Sequence, residues 1–206
     1  MAYRFATAEK TVLPESRARV FFDGIFTEPR LQHPECVAIG PDGHVWCGSE
    51  NGEVLRIAKD GDSIEVMGQG GGLTLGLAFD GDNSLFFCDL KDAAVYRLNL
   101  KRHWVERFSA PGIKIPNYPV VDAARGRLLV SDSHHFAEPG PGVWAYDLST
   151  GEGSLWCDRP LRFANGMALS LDGTALYVCE TFAQKITRIP IRADGSAGDA
   201  EPFATD

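Results

Sequence analysis

A chain of 206 residues with 44% apolar content has enough material for a sizeable core in one or two ordinary domains. A formal charge of -8 and a pI near 5.1 argue against a nucleic-acid partner, because phosphate binding needs clustered Lys and Arg rather than an acidic surface. No apolar run approaches the roughly 20 residues that span a bilayer, and the N-terminus MAYRFATAEK lacks the apolar stretch of a secretory signal, so the expectation is a soluble, cytoplasmic protein without membrane contact.

In chain order, residues 1–17 carry no clear signal. Arg19–Ile25, RVFFDGI, reads as a lone strand that has to join a sheet formed elsewhere in the chain. Pro34–Ile57, PECVAIGPDGHVWCGSENGEVLRI, then reads as three short strands with an Asp42-Gly43 hairpin between the first two. Weaker copies follow at Leu75–Leu98, LGLAFDGDNSLFFCDLKDAAVYRL, and at Pro116–Ser133, PNYPVVDAARGRLLVSDS, which continues through an insertion, HHFAEPGPG, to Val143–Tyr146. The clearest copy is Phe163–Ile189, FANGMALSLDGTALYVCETFAQKITRI, with a two-residue Asp172-Gly173 turn. A fourth, outer strand follows each meander at Ser63–Met67, Trp104–Phe108, Ser154–Asp158 and Glu201–Ala204.

A repeat of about 40 to 45 residues with several short strands per unit is the pattern of propeller blades, each too small to bury its own faces. The predicted fold class is therefore all-β, a single propeller domain over 1–206. About four blades fall near 33–67, 74–108, 116–158 and 164–206, joined by turn-rich links such as Gly68-Gln69-Gly70-Gly71-Gly72 and Ala110-Pro111-Gly112. No segment has a sustained helical period, so no helix longer than about two turns is expected. The basic run Lys101-Arg102-His103 falls at a turn and reads as a solvated hairpin end. Five cysteines, at 36, 47, 88, 157 and 179, have no CxxC spacing and fall in strand patterns, and they read as free, buried thiols acting as small hydrophobes.

In a propeller the innermost strand of each blade lines a central channel, so equivalent repeat positions converge. Aligning the repeats on Ala38 and Ala168 pairs Glu35 with Asn165; the third repeat supplies Asn117 and the second Leu75. Each polar member taken alone is ordinary turn chemistry. Together, a carboxylate and two amide oxygens in one register form a hard donor set suited to calcium or another divalent cation.

The PEC…PDG…W, PNY…VSDS and ANGMALS-DG-ALYV-ET blocks resemble the senescence-marker-protein (regucalcin) and gluconolactonase family of six-bladed propellers, and also its strictosidine-synthase-like relatives, over roughly residues 18–206. The resemblance implies a metal-dependent hydrolase that opens a lactone or related ester. It assigns Glu35 and Asn165 as metal ligands and Asn117 to both metal and substrate, with calcium ahead of zinc, magnesium or manganese. The Asp that the family uses as base would lie about one blade beyond Asn165, past Asp206, so no catalytic residue is assigned. Ile115 stands where sugar lactonases often carry an Arg, which points away from a polar sugar-acid substrate. His134, His135 and Glu180 are the remaining candidates for substrate contact.

Ser131-Asp132-Ser133 next to these histidines lacks a GxSxG elbow and, contiguous on one strand, does not assemble a triad. Alternatives to the hydrolase are a non-catalytic binding platform and a strictosidine-synthase-like enzyme. Four repeats where the family has six lead to the expectation of a second chain or a further segment that completes the ring.

Overall fold

The computed structural model describes residues 14–109 and 112–205. The N-terminal decapeptide, Ala110, Pro111 and Asp206, all named above, lie outside them. Sixteen strands among the described residues make four antiparallel sheets, each ordered from its first strand to its fourth. Blade 1 is β1 to β4 (Val37–Ile39, Val45–Gly48, Glu53–Ile57, Ile64–Gln69). Blade 2 is β5 to β8 (Thr74–Asp80, Ser84–Asp89, Ala94–Asn99, Trp104–Ser109). Blade 3 is β9 to β12 (Pro116–Asp122, Arg127–Asp132, Gly140–Asp147, Gly153–Leu161), and blade 4 is β13 to β16 (Ala164–Leu169, Ala175–Glu180, Lys185–Pro190, Glu201–Thr205). The first strands neighbour one another in sequence order, β1 beside β5, β5 beside β9 and β9 beside β13. The fold is a β-propeller of four blades, and the helices among the described residues are three-residue 3-10 turns.

The alternation of side chains along each strand explains why blades stack. Leu85 and Phe87 on β6 turn toward blade 1 and meet Trp46, Val54 and Met67, whereas the intervening Phe86 and Cys88 turn toward blade 3 and meet Leu128, Val130 and Tyr146. Between blades 3 and 4 the same logic joins Leu129 and Val143 to Met167, Leu176, Val178 and Ile189. Each fully buried Leu, Ile, Val or Phe contributes about 1.5–3 kcal/mol of transfer free energy, so the three inter-blade cores hold the molecule together. Contact at the channel end is close. A Cβ on Gly76 would stand 2.7 Å from the Asn117 carbonyl oxygen and from Pro119 Cδ, so glycine there lets β5 lie against β9.

Several expectations are corrected. Arg19–Ile25 forms no strand: the segment folds back on itself through Leu31 N–H to Gly24 O at 2.9 Å, and it lays Phe22 and Leu31 over Cys47, Leu55 and Ile57 on the outer face of blade 1. A strand needs a neighbouring edge to take its backbone groups, and this segment caps an apolar face instead. The Asp172-Gly173 turn is longer than two residues, because β13 ends at Leu169 and β14 starts at Ala175. Asp172 Oδ1 there accepts from Ser170 Oγ (2.7 Å), Thr174 N–H (3.0 Å) and Thr174 Oγ1 (2.8 Å), which draws its carboxyl down to about 2, the Ser170 hydroxyl contributing most. All five cysteines are free and four are buried, but Cys179 is exposed. Its β14 position pairs with Ile186 on the sheet face turned away from blade 3, so strand alternation takes it out of the core.

Both end faces of the array carry exposed apolar side chains. On blade 1, Val37 and Ile39 are 67% and 66% exposed, on the same face as Cys47 and Val45, with which they pair. On blade 4, Phe203 packs on Tyr177 at 4.7 Å between ring centres, on the face that carries Cys179.

Candidate functional site

The site is built where β1, β5, β9 and β13 begin. In blades 2, 3 and 4 the pairing of first and second strands slips at the same place. Thr74 pairs with Asp89 and Leu77 with Phe87, so Leu75 and Gly76 face one residue; Asn117 and Tyr118 do so in blade 3, and Asn165 and Gly166 in blade 4. Such bulges turn a side chain out of the regular pleat and are common beside functional sites. Register confirms the equivalence of these positions, since Ala38 pairs with Trp46, Ala78 with Phe86, Val120 with Leu129 and Ala168 with Tyr177.

Asn117 and Asn165 therefore occupy matching bulges on neighbouring strands. Asn117 is buried, and its Nδ2 donates to Ser133 Oγ at 3.0 Å. Asn165 is half-buried, and its Nδ2 donates to Thr181 Oγ1 at 3.2 Å. With both amide nitrogens engaged by hydroxyls, the two Oδ1 atoms are the ends available to a cation or substrate. Glu35 lies at the same register ahead of β1, exposed, with Oε1 3.0 Å from His33 Nε2. Its neighbour Cys36 reaches across to blade 3, Sγ donating to Tyr118 Oη at 3.9 Å, so the stretch holding Glu35 is tied to the one holding Asn117. Burial, and then the Cys36 thiol, push the Tyr118 phenol up to about 12.

The serines of Ser131-Asp132-Ser133 are staples between blades. Ser131 Oγ donates to Asn165 O at 2.8 Å and Ser133 Oγ to Ala164 O at 2.7 Å, each to a backbone carbonyl. Asp132, buried between them, accepts from the N–H groups of Lys114 (3.1 Å), Ile115 (2.9 Å) and His134 (2.8 Å) and from Trp144 Nε1 (3.3 Å). It clips the loop entering β9. Asp89 does the same one blade earlier, its Oδ2 taking the N–H groups of Gly71 (2.8 Å) and Gly72 (2.9 Å).

Glu180 is the blade 4 member of this series, which corrects the expectation that it is free for substrate contact. It is buried, and its oxygens accept from Arg162 N–H (2.8 Å) and from the Thr187 hydroxyl and lie 3.2 Å from Lys185 Nζ, so it holds the loop ahead of β13. Sequence reasoning missed the clips and staples, although the signal was present: Asp89, Asp132 and Glu180 each end the second strand of a repeat.

His134 has a positive φ of 60° and packs on Gly140, and its Nε2 lies 3.2 Å from Lys114 Nζ. His135 is exposed, and its Nδ1 accepts from Ala137 and Glu138 N–H at 3.1 and 3.2 Å, capping the turn of the insertion. Among the described residues no cluster of three or more His, Cys, Asp or Glu side chains is arranged to hold a metal. The oxygen donors at the shared register are the carboxylate of Glu35 and the amide oxygens of Asn117 and Asn165.

These features define a β-propeller whose inner strands carry Asn117 and Asn165 in matching bulges, with Glu35 at the same register ahead of β1. Residues 25–57 match the family described as Strictosidine synthase-like, N-terminal. The chain is 28% identical over 211 residues to the adipocyte plasma membrane-associated protein Hemomucin of Drosophila melanogaster, an alignment covering 85% of this chain and 35% of that protein. It thus spans about a third of the length of that curated relative. A crystal structure of a nidogen/laminin complex contains a chain that superposes with a TM-score of 0.67 at 14% identity, covering 82% of this chain and 64% of that one, a likeness of fold. No helix among the described residues is long and apolar enough to cross a membrane.

Proposed function

We propose that this chain is the metal-dependent part of a lactone or ester hydrolase, with Glu35, Asn117 and Asn165 as cation ligands and Asn117 also touching substrate. The observation that carries the reading is the pair of matching bulges, which present Asn117 and Asn165 from adjacent inner strands with their amide nitrogens already engaged. Turn formation alone does not require that coincidence. Calcium fits the oxygen donors best, ahead of magnesium, manganese or zinc. When bound, it would polarise an ester carbonyl as a Lewis acid.

The remaining tasks fall to this chain. The Ser133 hydroxyl orients the Asn117 amide, and the Thr181 hydroxyl that of Asn165, so the oxygens are held before ligand arrives. Lys114 and His134, side by side on the rim, offer donors to the carboxylate that ring opening releases. In the same reading the exposed apolar side chains on the end faces, Val37, Ile39 and Phe203, are covered by a further blade or a second chain, and the protein works in the cytoplasm.

Glu35→Gln tests the proposal, because Glu35 brings the one formal negative charge of the set. Calcium titration by calorimetry, with hydrolysis of γ- and δ-lactones, is expected to show weakened binding and lost turnover while the melting temperature stays put. If the wild type neither binds calcium nor opens a lactone, or if Glu35→Gln matches it in both, the hydrolase reading falls and a binding platform takes its place.

A further inference from the structure

At the same end of blades 3 and 4 three phenylalanines meet in a row. Phe136, in the insertion after β10, lies 5.1 Å between ring centres from Phe163, just ahead of β13, and Phe163 lies 4.9 Å from Phe182, just after β14. Phe136 is 64% exposed and Phe182 46% exposed. Core packing does not explain such a row, since the inter-blade cores are formed by other residues. Solvent-facing aromatic rings in mutual contact mark a binding surface more often than a packing need.

Two further observations tie the rings to the site. Phe163 holds φ at +59°, a left-handed conformation that a bulky residue adopts only under constraint, and such outliers gather where function needs a side chain aimed. The constraint is connected to Asn165. Thr181 N–H donates to Phe163 O at 3.2 Å, and the same Thr181 accepts from Asn165 Nδ2 through its hydroxyl. The apolar row and the amide are thus positioned by one residue. Small-molecule sites commonly combine a few fixed polar groups with an apolar wall.

We propose that Phe136, Phe163 and Phe182 form a shelf that binds the alkyl or aryl substituent of the substrate, making this a site for apolar-substituted lactones rather than bare or polyhydroxylated ones. The assignment rests on the hydrolase reading for the identity of the reacting ring, but the shelf itself is measurable by binding alone. Saturation-transfer NMR and calorimetry on the full chain with calcium, using γ-butyrolactone and γ-nonalactone, compare a bare ring with one carrying a pentyl chain. The pentyl lactone is expected to bind at least about tenfold more tightly and to shift the Phe ring signals of the wild type, a readout that needs no variant. Phe136→Ala with Phe182→Ala should erase that preference and leave γ-butyrolactone unaffected. Phe163→Gly, which keeps the positive φ while removing the ring, should act the same way.

Ring-dependent preference without hydrolysis leaves the shelf standing and removes the hydrolase. Equal binding of the two lactones, or a preference that survives loss of the rings, overturns the shelf even if both lactones are opened. Binding of neither lactone overturns both readings.

Discussion

Removal of the Asp132 carboxylate should destabilise the protein out of proportion to the size of the change. In Asp132→Ala, three backbone N–H groups and the Trp144 indole lose a charged acceptor at once. A hydrogen bond to a charged group contributes about 1.5–3 kcal/mol. Four of them share two oxygens, and water admitted to the shortened site recovers part, so the net loss comes to about 3–5 kcal/mol. For a domain of this size each kcal/mol lowers the melting temperature by about 2–4 °C, which predicts a fall of about 10 °C. Asp132→Asn keeps one oxygen but presents an amide N–H to two of the donors, and should lose about half as much.

The control is Asp147→Ala, which removes an exposed aspartate whose Oδ1 serves only its own turn, from Ser149 N–H at 2.9 Å and Thr150 N–H at 2.9 Å. Its melting temperature should change far less. Urea titration and differential scanning calorimetry of the three variants give the ranking. A ranking in which Asp132→Ala unfolds within about 1 kcal/mol of the wild type, or no earlier than Asp147→Ala, would refute the view that this carboxylate holds the loop into β9.

Gly76→Ala should cost about 1–3 kcal/mol through overpacking, because the new Cβ meets the backbone of Asn117 and Tyr118 rather than a movable side chain; a shift of the Asn117 amide resonances should accompany the loss, and an unperturbed spectrum at wild-type stability would contradict the close approach of β5 and β9. Asp147 and Asp172 should each titrate near 2 by carboxyl carbon NMR, their hydrogen bonds to Ser149 and Ser170 being the largest cause. Both values lie below those of the unfolded chain, so the stabilisation is complete above about pH 4 and disappears as pH falls toward 2; midpoints near 4 would mean that the turn hydrogen bonds do not form.

The clips and staples give the propeller a division of labour within each repeat. Strand interiors carry the inter-blade cores, and the last residue of the second strand fixes the incoming loop: Asp89 and Asp132 take consecutive N–H groups of that loop, and Glu180 takes one. Blade 1 has Ser49 at this place, and its incoming segment is tied through the backbone, Glu50 N–H donating to Gln32 O at 3.0 Å.

The amino-acid sequence alone was sufficient for the blades. A repeat of near 40 residues, Asp-Gly turns and period-two alternation are local or nearly local signals, and they were enough for an all-β propeller of four blades with an outer strand closing each. They also set Asn117 and Asn165 at one register, where the structure has matching bulges, because that register is a count from repeat to repeat. The tertiary structure alone decided what depends on an unseen neighbour. Arg19–Ile25 has strand-like composition, yet a strand exists only where another edge accepts its hydrogen bonds, and here the segment found an apolar face to cover. Glu180 reads in sequence as a candidate for substrate contact, but its oxygens are taken by Arg162 N–H, 18 residues away, by the Thr187 hydroxyl and by Lys185 Nζ. The bulges that turn Asn117 and Asn165 out of the pleat, and the contact of Phe136 with Phe163, likewise arise from pairing and packing between segments, which no single stretch of chain encodes.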